Sequence, residues 1–278
     1  MAAESEFRLS LGLEAARGVR WRLADACWRP WAAAASELIR TQGVPPGATV
    51  LKQATNRLIV RLPRPDAAAG GPGSVVVKSF PTGHARLALF GRHRRYGPTE
   101  LAHLELARQR DVPVPEVFGY AERRLWGLMV PNTAVMMEDL GDRRSVGDVL
   151  RGTSTDTEVT AALATAADLI LRLHAAGCNH IDLNSGNLLL SRAGEDRGRV
   201  IDLMYARFHP APSPNILCFM VAYFAGSVAS VLPAARLEAW IAEVLSRSGA
   251  ATELGQWRRL ATNPQECRMS RRDRLALV

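Results

Sequence analysis

Between Arg207 and Arg236 the chain carries no Asp, Glu, Lys or Arg, and the centre of that interval, Ile216 to Leu232, reads ILCFMVAYFAGSVASVL. A stretch this long and this apolar has two homes, a bilayer or the inside of a folded core. Its flanks favour the core. Pro210, Pro212 and Pro214 lead in, Pro233 closes it, and Gly, Ser and Ala dilute its second half, as in a helix packed on all sides. With 278 residues, 47% of them hydrophobic, the chain can surround such a helix, as one large domain or two small lobes.

The rest of the composition narrows the class. Cys27, Cys178, Cys218 and Cys267 lie far apart, which suggests neither a zinc site nor a disulfide framework and fits a reducing cytosol. The opening MAAESEFRLS has acidic residues and no apolar segment, unlike a secretory signal. A formal charge of +8 implies an anionic partner: nucleic acid, a membrane surface or a phosphorylated substrate. No zinc finger, glycine-rich RNA-binding strand or basic zipper is present, so nucleic acid lacks a recognition module.

Local patterns divide the chain. Residues 1–44 read as a helical extension in which Trp21, Trp28 and Trp31 are interleaved with Arg17, Arg20, Arg22 and Arg29, ended by QGVPPG. Such a helix either packs on the main domain or lies in a membrane interface. TVLKQ, RLIVRL and SVVVKSF predict three antiparallel strands, with ATN and the Ala/Gly stretch after Asp66 as their turns. A helix around PTELAHLELARQR follows, then strands at VPVPEVFGY, LMVP and AVMMEDL. Beyond Glu138 helical patterns dominate, and EVTAALATAADLILRLHAAG ends on Gly177, a glycine suited to a helix C-terminus.

Directly after that glycine comes HIDLNSGNLLL, with His180, Asp182, Asn184 and Asn187 placed before an apolar run, and then Asp202 in RVIDLM. A loop, a short hairpin and a second acidic loop would gather Asp182, Asn187 and Asp202. Phosphoryl transfer uses this equipment: one carboxylate orients the acceptor hydroxyl, and an Asn with a second carboxylate holds a divalent cation on the phosphates.

The segments LRLHAAGCNHIDLNSGNLLL and VIDLMYARF resemble the catalytic and metal loops of the protein-kinase-like superfamily and, within it, the bacterial lipopolysaccharide kinases that phosphorylate Kdo or heptose of the inner core. The resemblance covers roughly residues 50–235. It implies an α+β, two-lobed protein-kinase-like fold: a small antiparallel-sheet N-lobe with one main helix (45–138) and a mostly helical C-lobe (139–278). It implies Asp182 as catalytic base, Asn187 and Asp202 as magnesium ligands, and His180 as a brace of the loop. Lys78 would reach the ATP phosphates, paired with Glu100, for which Glu105 is the rival. Backbone groups of Glu138 and Leu140 would meet adenine.

ATP and magnesium are thus the implied cofactors. An anionic glycolipid precursor at a membrane surface is the implied partner, with no nucleic acid, and the implied location is cytoplasmic, peripheral on the cytoplasmic face of the inner membrane. The chain departs from protein kinases in having no Gly-x-Gly-x-x-Gly before Lys78, which leaves the ATN turn for phosphate contact. Asn184 stands where many of them carry Lys, so it would hydrogen-bond the phosphate without neutralising it. Leu203 and Met204 replace Phe and Gly, and no Ala-Pro-Glu follows, which argues for a small-substrate or glycolipid kinase rather than one regulated by loop phosphorylation. Asn215 stands where a carboxylate often braces the loop. The alternatives are a soluble small-molecule phosphotransferase acting on aminoglycosides or choline, whose loop usually has His where this chain has Asn184, and a nucleotide-binding pseudokinase.

Overall fold

A computed structural model describes residues 11–16, 18–65, 72–82, 96–126, 129–141, 143–191 and 197–249. Arg17, Cys267, the glycines at 70 and 71, and most of the Ala/Gly turn lie outside the described residues. The chain forms two compact units: residues up to Leu104 with Pro115–Leu140, and Glu105–Val114 with the residues from Gly141 onward.

The first unit is built on a seven-stranded antiparallel sheet. Its strands are β1 (Leu11–Ala16), β2 (Val19–Leu23), β3 (Thr49–Ala54), β4 (Arg57–Pro63), β5 (Ser74–Pro81), β6 (Val117–Leu125) and β7 (Met129–Glu138), in the order β1-β2-β6-β7-β5-β4-β3. The three strands expected between Thr49 and Phe80 are β3, β4 and β5. LMVP and AVMMEDL form one strand, β7, where two were expected. Pro131 is tolerated inside it because the β6–β7 register is irregular between Arg123 and Leu125, and a residue without an N–H fits at a bulge.

The helical reading of residues 1–44 needs correction: among its described residues, Leu11–Ala16 and Val19–Leu23 are the strands β1 and β2, and α1 (Arg29–Thr41) is the only α-helix. The signal was the alternation itself. Val19, Trp21 and Leu23 are buried while Arg20 and Arg22 are exposed, a period of two that belongs to a strand with one wet face. The tryptophans are then core residues. Trp21 is fully buried and its indole N–H donates to Ser36 Oγ at 2.9 Å; Trp31 is buried among Leu38, Ile39, Val60 and Met136 of the same core; Trp28 stacks on Phe118 with ring centroids 3.7 Å apart. Burial removes Trp21 and Trp31 from any membrane interface, and Trp28 is partly buried against the same core. α1 packs on one face of the sheet, where the Asn132 amide donates to the Ile39 carbonyl at 3.0 Å.

The second unit contains α3 (Val146–Arg151), α4 (Asp156–Ala175), α5 (Pro214–Val228) and α6 (Ala234–Arg247), with short strands β8 (Cys178–Asn179), β9 (Leu188–Leu189), β10 (Arg199–Val200) and β11 (Arg207–Phe208). The expected helix around PTELAHLELARQR is α2 (Tyr96–Gln109). Reciprocal capping boxes start α3 (Ser145 with Asp148) and α4 (Thr155 with Glu158), satisfying N–H groups that have no intrahelical acceptor. Past the C-terminus of α4, Gly177 adopts φ +64, and a Cβ there would lie 2.6 Å from the His209 carbonyl. Only glycine meets both demands.

α5 is the charge-free segment, and it is a core helix. Ile216, Leu217, Phe219, Met220, Val221, Phe224, Ala225 and Val228 are all buried, with Phe224 against Trp240 of α6 at 4.8 Å. Among the described residues no helix is long and apolar enough to cross a membrane. Phe224→Ala is expected to lower unfolding stability by about 3–5 kcal/mol, the cost of emptying a large buried aromatic site, read as a shifted urea midpoint. Recovery of the wild-type chain only in detergent after carbonate washing would contradict the core assignment.

Candidate active site

The chain topology of the second unit draws its polar residues together. β8 pairs with β11 and β9 pairs with β10, both antiparallel. One ladder is therefore nested inside the other, with residues 180–187 linking β8 to β9 and 201–206 linking β10 to β11. Two bonds tie these loops: the Ile201 N–H donates to the Asn187 carbonyl at 3.0 Å, and His180 Nε2–H donates to the Ile201 carbonyl at 3.1 Å. His180 is buried, and burial holds its pKa below the ordinary value, opposed by that bond and by the Asp202 and Asp182 charges. A neutral, Nε2-protonated ring is the consequence. It braces the two loops, as its expected role required.

Inside the first loop the Asp182 carbonyl accepts three bonds, from the Asn184 N–H at 2.8 Å, the Asn184 side-chain amide at 3.2 Å and the Asn187 side-chain amide at 2.8 Å. This focus fixes Asp182's backbone and turns Asn187 so that its Nδ2 is occupied and its Oδ1 is the group offered outward. Asn184 is the N-cap of a 3-10 turn at Ser185–Asn187, its Oδ1 accepting from the Gly186 N–H at 2.9 Å. The loop thus uses its oxygen and one amide hydrogen internally, which leaves little of it for a phosphate. Asp202 adopts φ 62 and ψ 47, a left-handed conformation in which non-glycine residues concentrate at functional sites. Asn187 Oδ1 and the Asp202 carboxylate are hard oxygen donors of the type magnesium takes.

Three positioning residues were not foreseen. The Tyr223 hydroxyl donates to Asp182 Oδ1 at 2.9 Å; Ser227, one turn later on α5, accepts from the Ser185 N–H at 3.1 Å; and Arg151 of α3 reaches the Ser185 hydroxyl at 3.3 Å and the Ser227 carbonyl at 3.1 Å. Gly147 leaves room for this clamp, since a Cβ there would sit 2.8 Å from Ser185 Oγ. The available signal was in the apolar segment: Tyr223 and Ser227 are polar breaks four residues apart, hence on one helix face. Tyr223→Phe is expected to lower turnover about tenfold with little change in apparent ATP affinity, as roughly 1.5 kcal/mol is a modest value for a hydrogen bond to a charged group. A proportional rise in KM for ATP instead would assign Tyr223 to binding.

In the first unit Lys78 and Glu100 form a buried ion pair, the lysine 8% and the glutamate 1% exposed. Glu100, not Glu105, is the partner. Gly97, a turn earlier on α2, would place a Cβ 2.8 Å from Thr133 Oγ1 and 3.0 Å from the Tyr120 ring, so its lack of a side chain lets α2 approach the sheet face opposite α1. Breaking a buried pair leaves one charge uncompensated, typically at about 3–5 kcal/mol. Lys78→Met should therefore destabilise by that order, and Lys78→Met with Glu100→Gln should regain most of the stability while ATP use stays lost. Recovery of activity in the double variant would remove Lys78 from the site.

At the end of β7 the Glu138 N–H donates to the Glu116 carbonyl at 2.8 Å and its carboxylate accepts from the Glu116 N–H at 3.2 Å. A base-edge role for Glu138 narrows to its carbonyl. Leu140 is buried just beyond the strand. Beside them Asp139 is held by Arg61 at 2.9 Å and by the Ser74 hydroxyl, which anchors this exit from the sheet.

Residues 87–211 match a family model described as the lipopolysaccharide kinase (Kdo/WaaP) family. That segment is similar to the lipopolysaccharide kinase family. It contains Glu100, Glu138, Leu140, Asp182, Asn187 and Asp202, so the family match and the nested ladders coincide. Among solved structures, one described as WaaP in complex with acyl carrier protein is similar with a TM-score of 0.58 and 18% sequence identity, over 90% of this chain and 100% of that chain. This likeness supports the kinase-like α+β fold. No curated protein matches the chain.

Proposed function

We propose that the protein is an ATP-dependent kinase that phosphorylates a sugar hydroxyl, of Kdo or heptose type, on a lipopolysaccharide inner core. The observation that carries this reading is the lipopolysaccharide kinase family match over the segment with Asp182, Asn187 and Asp202. Asp182, held by Tyr223, orients the acceptor hydroxyl and takes its proton as the new bond to phosphorus forms. Lys78, fixed by Glu100, carries positive charge for the nucleotide phosphates. Backbone groups of Glu138 and Leu140 meet the adenine edge. Asn187 and Asp202 are the residues to hold magnesium, which when bound supplies charge neutralisation on the phosphates.

The acceptor is an anionic glycolipid, so the chain works at a membrane surface, on the cytoplasmic face of the inner membrane. A net charge of +8 supports that approach. Association with an acyl carrier protein, as in the WaaP complex, is a further proposal for this chain that co-purification would test. The substrate test is direct. Purified protein with radiolabelled ATP should transfer label to lipid A bearing Kdo, or its heptosylated form, and not to aminoglycosides or choline, as separated by thin-layer chromatography. Label on the soluble alcohols would favour the small-molecule phosphotransferase. A magnesium-dependent thermal shift with ATP and no product from any acceptor would favour the pseudokinase.

A further inference from the structure

β3 is the last strand of the seven-stranded sheet, and all six of its residues are exposed. It is also bulged. Thr49 and Val50 lie opposite Arg61 and Val60, whereas Lys52, Gln53 and Ala54 lie opposite Ile59, Leu58 and Arg57, so Leu51 is an extra residue. Without it the register would put Lys52 opposite Leu58, whose side chain belongs to the core that α1 covers. With it Lys52 stands opposite Ile59. Bulges re-aim side chains in this way, and they are over-represented beside active sites.

The neighbouring strands define which face Lys52 joins. Ile59 pairs with Lys78, and Lys78 with Val135; directly opposed residues of antiparallel strands share a face. The alternate set, Val60, Val77 and Met136, lies in the core with α1. Lys52, Ile59 and Lys78 therefore form one row on the other face, with the two lysine backbones about 10 Å apart, two strand spacings. Their surroundings differ. Lys78 is buried and paired with Glu100, and Arg61, two residues along β4 from Ile59, is held by Asp139 at 2.9 Å. Lys52 is exposed, and its side chain makes no ion pair or hydrogen bond among the described residues.

We propose that Lys52 is a second phosphate-binding residue, a cation that takes the nucleotide phosphates together with Lys78. The inference rests on the nucleotide-binding reading of Lys78. It meets a need that the sequence raises: no Gly-x-Gly-x-x-Gly precedes Lys78, so a cradle of unhindered backbone N–H groups is lacking, and a lysine on a long flexible stem supplies positive charge in its place. The competing role is protection of the sheet, since lysines and bulges both blunt an open edge against pairing with another chain. A lysine on either face would serve that role. Phosphate binding requires the face of Lys78.

The test is equilibrium binding of the full chain to ATP with magnesium, and to adenosine, by titration calorimetry. Lys52→Gln should weaken ATP binding about tenfold, the worth of one hydrogen bond to a charged group, and leave adenosine binding and the melting temperature unchanged. Lys52→Arg should keep most of the affinity. The difference between wild type and Lys52→Gln should shrink at high salt, because an exposed charge is screened. The deciding variant moves the lysine by one residue. Lys52→Gln with Gln53→Lys preserves the net charge and a lysine on the edge, but puts it opposite Leu58 and so on the other face. It should bind ATP as weakly as Lys52→Gln. Full ATP affinity in either variant overturns the proposal, and self-association of Lys52→Gln with full affinity assigns the lysine to edge protection instead. Failure of wild type to bind ATP removes the nucleotide reading of Lys78 and the proposal with it. Lys52-dependent ATP binding in a chain that phosphorylates no glycolipid leaves the proposal standing and removes the acceptor reading alone.

Discussion

Asp182→Asn is expected to leave ATP affinity nearly unchanged while slowing phosphoryl transfer by about 10²–10⁴-fold, the usual worth of a general base. The structure makes this substitution a clean one. The three hydrogen bonds that set the loop go to the Asp182 backbone carbonyl, which the change does not touch, and an asparagine Oδ1 still accepts from Tyr223. Shape and position survive, and the proton acceptor does not. Single-turnover transfer to the sugar, measured beside equilibrium nucleotide binding, separates the two. If affinity falls and transfer in the bound complex stays normal, Asp182 is a binding residue.

The second large effect is expected at the proposed cation site. Asp202→Asn should lower magnesium-dependent ATP use by about 10³-fold, equivalent to roughly 4 kcal/mol of lost charge stabilisation, with the fold intact because Asp202 stands on a loop between β10 and β11. Asn187→Ala should have a comparable effect on turnover together with a small loss of stability, since the bond from its amide to the Asp182 carbonyl at 2.8 Å also disappears. Magnesium titration of activity, with thermal unfolding as the control, checks both. Near-normal turnover of either variant at limiting magnesium would refute the ligand assignment.

The legibility of the sequence differed between the two units for a physical reason. HIDLNSGNLLL and VIDLM could be read because the loop chemistry is local: the Asn184 cap, the left-handed Asp202 and the short strands beside them all act within a few residues of the motif. Gly177 was legible likewise, as a glycine past a helix terminus. The N-terminal segment was misread because tryptophan and arginine alternate there, and one short VRWRL run fits an interfacial helix by composition but a strand by period. What distinguishes them is the partner, β6, about a hundred residues away.

The chain itself, then, marked Asp182, Asn187 and Asp202 at spacings that place them on loops, and an uncharged helix that has to be buried. Tertiary structure alone decided which groups complete them. Glu100 rather than Glu105 meets Lys78 because Gly97 lets α2 lie close on the sheet. Tyr223 and Ser227 reach the 180–187 loop because α5 packs beneath it. Trp21 and Trp31 are hidden because α1 covers one face of the sheet. Such pairings depend on contacts between residues distant in sequence, and the side chain involved carries no local mark of its partner.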